Sequence, residues 1–155
     1  HPTRPCTCSL RAVDRYLGRI SGPLLDRMDL HVEVMPVEFE ALSSAGEEES
    51  SAQVRARVNA ARKRQTERYE GKGFTCNGQL PPNLLREACP TTEEAGRLLR
   101  RAFEKFGFSA RTYDRVLKVS RTIADLDNCD VIGSAHAAEA VQYRTLDRKY
   151  WLNGI

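Results

Sequence analysis

The 155 residues include 41% hydrophobic and 29% charged side chains, enough apolar matter for one compact domain, or a small one carrying an appendage. Their net charge of +3 is too small to establish a nucleic-acid partner, and no apolar run approaches the roughly 20 residues that span a bilayer. With no secretory signal in view, a cytoplasmic location without membrane contact is expected.

The chain opens on His1 in polar sequence and without Met, which predicts a piece of a longer protein. Residues 9–19 read as a helix that Ser9 can cap, with Val13, Tyr16, Leu17 and Ile20 on one face. The stretch after it is the most informative in the chain. Pro23 suits a first helical position, Leu24 and Leu25 anchor a short turn inward, and Asp26 and Arg27 stay polar, with Arg27 aimed outward. Leu30, Val32 and Val34 then alternate with His31 and Glu33, the two-residue period of a buried strand at 30–34. One strand is not stable alone, so it is expected to belong to a sheet formed with other strands. A guanidinium fixed between a packed turn and a strand presents a rigid fork to a phosphate. The bland alternative is a surface pair of Arg27 with Asp26 or Asp29.

Pro36 stops the strand, residues 37–42 suggest a short helical turn, and the small, acidic stretch 43–51 has no apolar anchor. That composition marks a linker. A long basic helix is predicted over 52–70, with Val54, Val58 and Ala61 facing inward and Gly71 and Gly73 ending it. Arg55, Arg57, Arg62, Lys63, Arg64 and Arg68 crowd this helix, and residues 97–121 hold a second basic concentration. Such faces are either solvated surfaces balanced by acids or a phosphate-binding face. Residues 74–83 read as a loop and 84–88 as a short helix. Thr91 or Thr92 then caps a helix with Glu93 and Glu94 in its first turn. Its inner stripe is Ala95, Leu98, Leu99, Ala102, Phe103 and Phe106, and Gly107 terminates it. Ser109 caps the next helix, whose inner face is Tyr113, Val116, Leu117, Ser120, Ile123 and Ala124. Arg111, Asp114, Arg115, Lys118, Arg121 and Asp125 are expected largely outside. A last helix spans 134–146, before a tail at 147–155. Four consecutive amphipathic helices predict a small helical bundle, so the fold class is mainly α with a helix-turn-strand piece in front.

Cys6, Cys8, Cys76, Cys89 and Cys129 form no even disulfide framework and are expected as free thiols. Cys6 and Cys8 are half of a zinc site, and nothing nearby supplies a second pair, so no metal is expected. The chain holds no complete catalytic constellation. Nor does it hold a phosphate-binding G-x-x-x-x-G-K-[ST] loop, since Gly71-Lys72-Gly73 lacks the preceding glycines and the following hydroxyl.

Several segments together resemble the magnesium-chelatase-like branch of the AAA+ ATPases, in its ComM/YifB competence-related group. They are Cys6-Thr-Cys8, residues 15–34 with Leu24-Leu-Asp-Arg-Met-Asp-Leu30 at their centre, residues 109–126, Ala138-Glu-Ala-Val-Gln-Tyr-Arg144 and Leu146-Asp-Arg148. The match runs in the expected order over nearly the whole chain. It implies residues 1–36 as the end of an AAA+ α/β core, 37–51 as a linker and 52–155 as the C-terminal helical lid. The nucleotide loop and Walker B acid would lie upstream. ATP and Mg²⁺ would therefore bind the intact protein, and this chain alone would bind neither and hydrolyse nothing.

Arg27 matches the arginine finger of related rings and would reach the γ-phosphate held by the adjoining subunit. Arg111 matches the second-sensor arginine, touching the nucleotide of its own subunit; a solvated helix-face arginine is the alternative. Arg19 is a weaker candidate for phosphate or intersubunit contact, and Arg62 and Arg64 are candidates for DNA contact. The resemblance further implies self-association into a ring, expected to be a hexamer. Such a ring would use ATP to remodel DNA strands or drive branch migration in transformation and recombination. A metal-chelatase motor subunit and a stand-alone helical DNA-binding module are the alternatives. Family members tend to carry a second C-x-C pair before the position of His1, which would complete a zinc clamp only there.

Overall fold

The computed structural model describes residues 5–37, 39 and 49–144. Among them run seven α-helices: α1 (Leu10–Leu17), α2 (Gly22–Leu25), α3 (Ser51–Arg68), α4 (Leu85–Ala88), α5 (Glu93–Phe106), α6 (Ala110–Leu126) and α7 (Ser134–Gln142). Short 3₁₀ turns at Asn77–Gln79 and Pro82–Leu84 lead into α4. Most of the linker expected over 37–51, the end of the last helix and the tail at 147–155 lie outside the described residues.

The helix starts are set by local chemistry. Ser50 and Gln53 form a reciprocal capping box, with the Gln53 amide donating to Ser50 Oγ at 3.3 Å and Ser50 N–H donating to Gln53 Oε1 at 2.8 Å. Thr92 accepts from Ala95 N–H at 3.2 Å, and Ser109 accepts from Thr112 N–H at 3.1 Å. Gly107 closes α5 at φ 55°, a left-handed backbone that any Cβ would disfavour.

α7 packs against both α5 and α6, and α3 packs against α6. Ala95, Ala124, Ala137 and Ala140 are fully buried, and their small side chains let the three helices approach closely around Leu99, Val116, Leu117 and Val141. An isolated parallel bridge joins Thr91 to Ile132, with Thr92 N–H donating to Ile132 O at 2.9 Å. It ties the start of α5 to the approach to α7. The outcome is the mainly helical bundle expected. No helix among the described residues is long and apolar enough to cross a membrane.

Four expectations need correction. Residues 30–34 form no strand among the described residues, and Val34 is 83% exposed. Only a neighbouring strand can satisfy a ladder; here the backbone is anchored by His31 N–H donating to Tyr143 O at 2.9 Å. α1 buries none of its residues, and Ser9 makes no side-chain cap. In α3 the inward face begins only at Ala61 and Gln65, while Val54 and Val58 are 38% and 44% exposed. Only the C-terminal half of that helix meets side chains of α6 and the loop after it. Lastly, Arg121 and Asp125, expected outside, are at the centre of the bundle.

Candidate functional site

α2 is a single turn with Pro23 at its start, and Leu25 is its buried residue. Backbone bonds continue the turn past its end, from Arg27 N–H to Leu24 O and from Met28 N–H to Leu25 O, both at 3.0 Å. The side chains then fix this turn to the bundle. Thr112 Oγ1 donates to Asp26 Oδ1 at 3.1 Å. Asp29 pairs with Arg115. Arg144, only 3% exposed, donates to the carbonyls of Leu25, at 3.3 Å, and Met28. Both carboxylates that flank Arg27 are thus turned toward the bundle. Arg27 itself is exposed and makes no ion pair with the described residues. The surface pairs with Asp26 and Asp29 do not form.

Arg111 is the second residue of α6, exposed at the helix end whose free N–H groups carry the positive side of the macrodipole. It borders a groove of about 700 Å³ whose walls include Leu30, Val32, Arg115, Lys118 and Tyr143. Arg19 is exposed beyond α1.

The two basic-helix candidates separate. Arg64 donates to Asn128 Oδ1 at 2.6 Å and pairs with Asp130. Arg62 stays exposed. Burial pushes the Cys76 thiol pKa up, but the hydrogen bond and charge of Arg62, together with backbone hydrogen bonds from Gln79 and Gly78, outweigh it and leave the thiol below its ordinary value. Arg57 is neutralised by Glu49 at 2.5 Å and Arg68 by Asp125, so this helix is less cationic than its sequence suggests. Cys6 and Cys8 are exposed and free. No third His, Cys, Asp or Glu among the described residues joins them to make a metal site.

Sequence reasoning missed the polar centre that holds the bundle in shape. Asp125 and Arg121 both have side chains 0% exposed and lie 3.2 Å apart. Arg68 binds the same carboxylate with both terminal nitrogens, one at 2.9 Å, and Asn77 Nδ2 donates to it at 2.8 Å. Arg121 also donates to the carbonyls of Asp130, at 2.5 Å, and Cys129, closing the loop after α6. Tyr69 donates to Asn77 Oδ1 at 2.7 Å, so the network reaches from α3 to α6. Burial pushes the Asp125 pKa up, yet the Arg68 and Asn77 hydrogen bonds and the Arg121 charge hold it below the usual carboxylate range. A signal was present: Arg121 stands four residues after Leu117 and three before Ala124, on the inner stripe of α6.

Residues 48–144 match the family model described as magnesium chelatase, subunit ChlI C-terminal, and residues 1–42 match the one described as magnesium chelatase, subunit ChlI. The chain is 42% identical to competence protein ComM of Haemophilus influenzae over 141 residues, covering 90% of this chain and 27% of that protein. It is 40% identical to the YifB protein of Escherichia coli over 142 residues, covering 91% and 27%. Against Rv2897c of Mycobacterium tuberculosis the identity is 37% over 139 residues, covering 90% and 27%. The chain therefore spans about a quarter of the length of the curated relatives it matches.

Proposed function

The chain belongs to the magnesium-chelatase-like family of AAA+ proteins, and on that premise we propose that it is the nucleotide-responsive lid end of an ATP-driven ring motor working on DNA in the cytoplasm. The observation that carries this reading is Arg27, exposed on a turn anchored at three points while Asp26 and Asp29 both face the bundle. A permanently charged, pre-positioned guanidinium suits the charge that spreads over phosphoryl oxygens in a transition state. It would act across the interface on the triphosphate of the adjoining subunit. Arg111 would contact the nucleotide of its own subunit. With no phosphate-binding loop in these residues, ATP and Mg²⁺ would be held by other parts of the ring, expected to be a hexamer. What this chain contributes is two guanidinium groups and a rigid frame.

ATP turnover and nucleotide affinity of the full-length protein test the assignment. A charge-assisted bond to phosphate contributes about 1.5–3 kcal/mol, so Arg111→Ala should weaken ATP affinity about 10- to 100-fold and lower turnover. Unchanged affinity and turnover would remove the sensor role. The name of the ComM relative and the exposed arginines of α3 support the DNA reading. Arg62 is a better contact than Arg64, which is already tied to Asp130. Arg62→Ala should flatten the salt dependence of DNA binding by a slope of about one; an identical slope rejects that contact.

A second reading, a chelatase motor subunit, is favoured by the descriptions of both family models. Turnover stimulated by DNA in the full-length protein would separate the two, since a chelatase motor has no need of it.

A further inference from the structure

We propose that residues 25–31 are a coupling strap: the Asp26–Thr112 hydrogen bond and the Asp29–Arg115 ion pair lock the Arg27 turn to the helix that carries Arg111. The two arginines then move as one body. This rests on the finger and sensor assignments above and adds the device that joins them.

The sequence neighbours make the argument. Asp26 stands directly before Arg27, Thr112 stands directly after Arg111, and Thr112 Oγ1 donates to Asp26 Oδ1 at 3.1 Å. Each arginine is thus one residue from the same bond. Thr112 is buried, and its hydroxyl also lies 3.0 Å from Ser109 Oγ, the cap of α6. The Asp26 carboxylate therefore sits against the N-terminal end of α6, where the helix dipole favours a negative charge. One helical turn further along, Arg115 takes Asp29 on the other side of Arg27. From behind, Arg144, just past α7, bonds the carbonyls of Leu25 and Met28 at the end of this turn.

The tightest docking is at this turn. Leu25 is the buried residue among 5–37, while α1 has only exposed or half-buried residues and 32–37 are exposed. A loosely resting segment would show diffuse apolar contact instead of polar bonds gathered around one arginine. A tilt of α6 that follows contact at Arg111 therefore carries Arg27 with it, and Asp26, Thr112, Asp29 and Arg115 act as positioning residues. Rigid elements with specific bonds transmit such displacements between sites.

The test uses the full-length protein and ATP. Misplacing a catalytic group by about 1 Å costs about 10²-fold in rate, so Thr112→Val and Asp29→Asn should each lower kcat by roughly 10- to 100-fold with KM for ATP unchanged. Asp29 is an exposed side chain, so its replacement leaves the core intact. Thr112→Ser keeps the hydroxyl and should restore turnover. In an Arg27→Lys background the same replacements should cost less than about twofold more, because the strap acts only through that side chain. Equal losses in both backgrounds, or a raised KM with normal kcat, overturn the strap. Normal turnover in both strap variants beside an inactive Arg27→Ala overturns it alone; full turnover in Arg27→Ala overturns the finger reading and the strap with it.

Discussion

Asp125→Ala should destabilise the chain by about 3–5 kcal/mol, the cost of stripping the partner from a buried cation. Arg121 has no exposed surface and would keep its charge with only the carbonyls of Cys129 and Asp130 to face. Arg68 would lose both of its bonds to that carboxylate, and Asn77 Nδ2 would lose one of two partners. For a domain of this size the loss corresponds to a fall in Tm upward of roughly 12 °C, read by thermal unfolding under circular dichroism. Asp130→Ala is the control. That carboxylate is 91% exposed, so its pair with Arg64 contributes under about 1 kcal/mol. Equal, small losses at both positions would show that the buried network carries no load.

The same group predicts a pH dependence with a definite sign. Its folded pKa is depressed, so its contribution is complete above the unfolded carboxylate value of about 3.9 and is lost as pH falls through the lower folded value. Unfolding free energy should therefore drop with acidification below about pH 4, and this part of the slope should vanish in Asp125→Ala.

Much of the bundle was legible because its punctuation is local. Thr92, Ser109 and Gly107 act within one turn of themselves, and hydrogen bonds of that range are written in adjacent residues. The exposure of Arg27 was legible for a related reason: Leu25 packs, and Arg27, two residues further round the turn, faces away from it. What failed depended on partners distant in sequence. Polarity placed Arg121 and Asp125 outside, but Arg68 and Asn77, from the region of α3, supply the bonds that make their burial tolerable. Val54 and Val58 have the spacing of a buried stripe, yet pattern alone does not say where the neighbouring helix ends. Alternation at 30–34 has the period of a strand, yet a strand exists only with a pairing edge. Neither flanking acid of Arg27 was readable as a bundle contact, because Thr112 and Arg115 lie 86 residues away along the chain.

Arg27→Ala in the full-length protein should cut ATP turnover by about 10³- to 10⁵-fold, the range over which arginine fingers act. Nucleotide affinity should hardly change, since the guanidinium serves charge that develops during transfer more than it serves the ground state. Stability should also stay within about 0.5 kcal/mol, because an exposed side chain with no ion pair among the described residues leaves nothing behind when it is removed. That separation sets it apart from Asp125, whose loss would abolish activity by unfolding the frame. Mixing Arg27→Ala subunits with subunits disabled in nucleotide binding places an intact arginine beside an intact nucleotide at some interfaces. Part of the turnover should then return, in proportion to the number of such interfaces. Turnover that stays at the mutant level across all mixing ratios would mean that Arg27 serves its own subunit, and wild-type turnover in the single variant would mean that it serves neither.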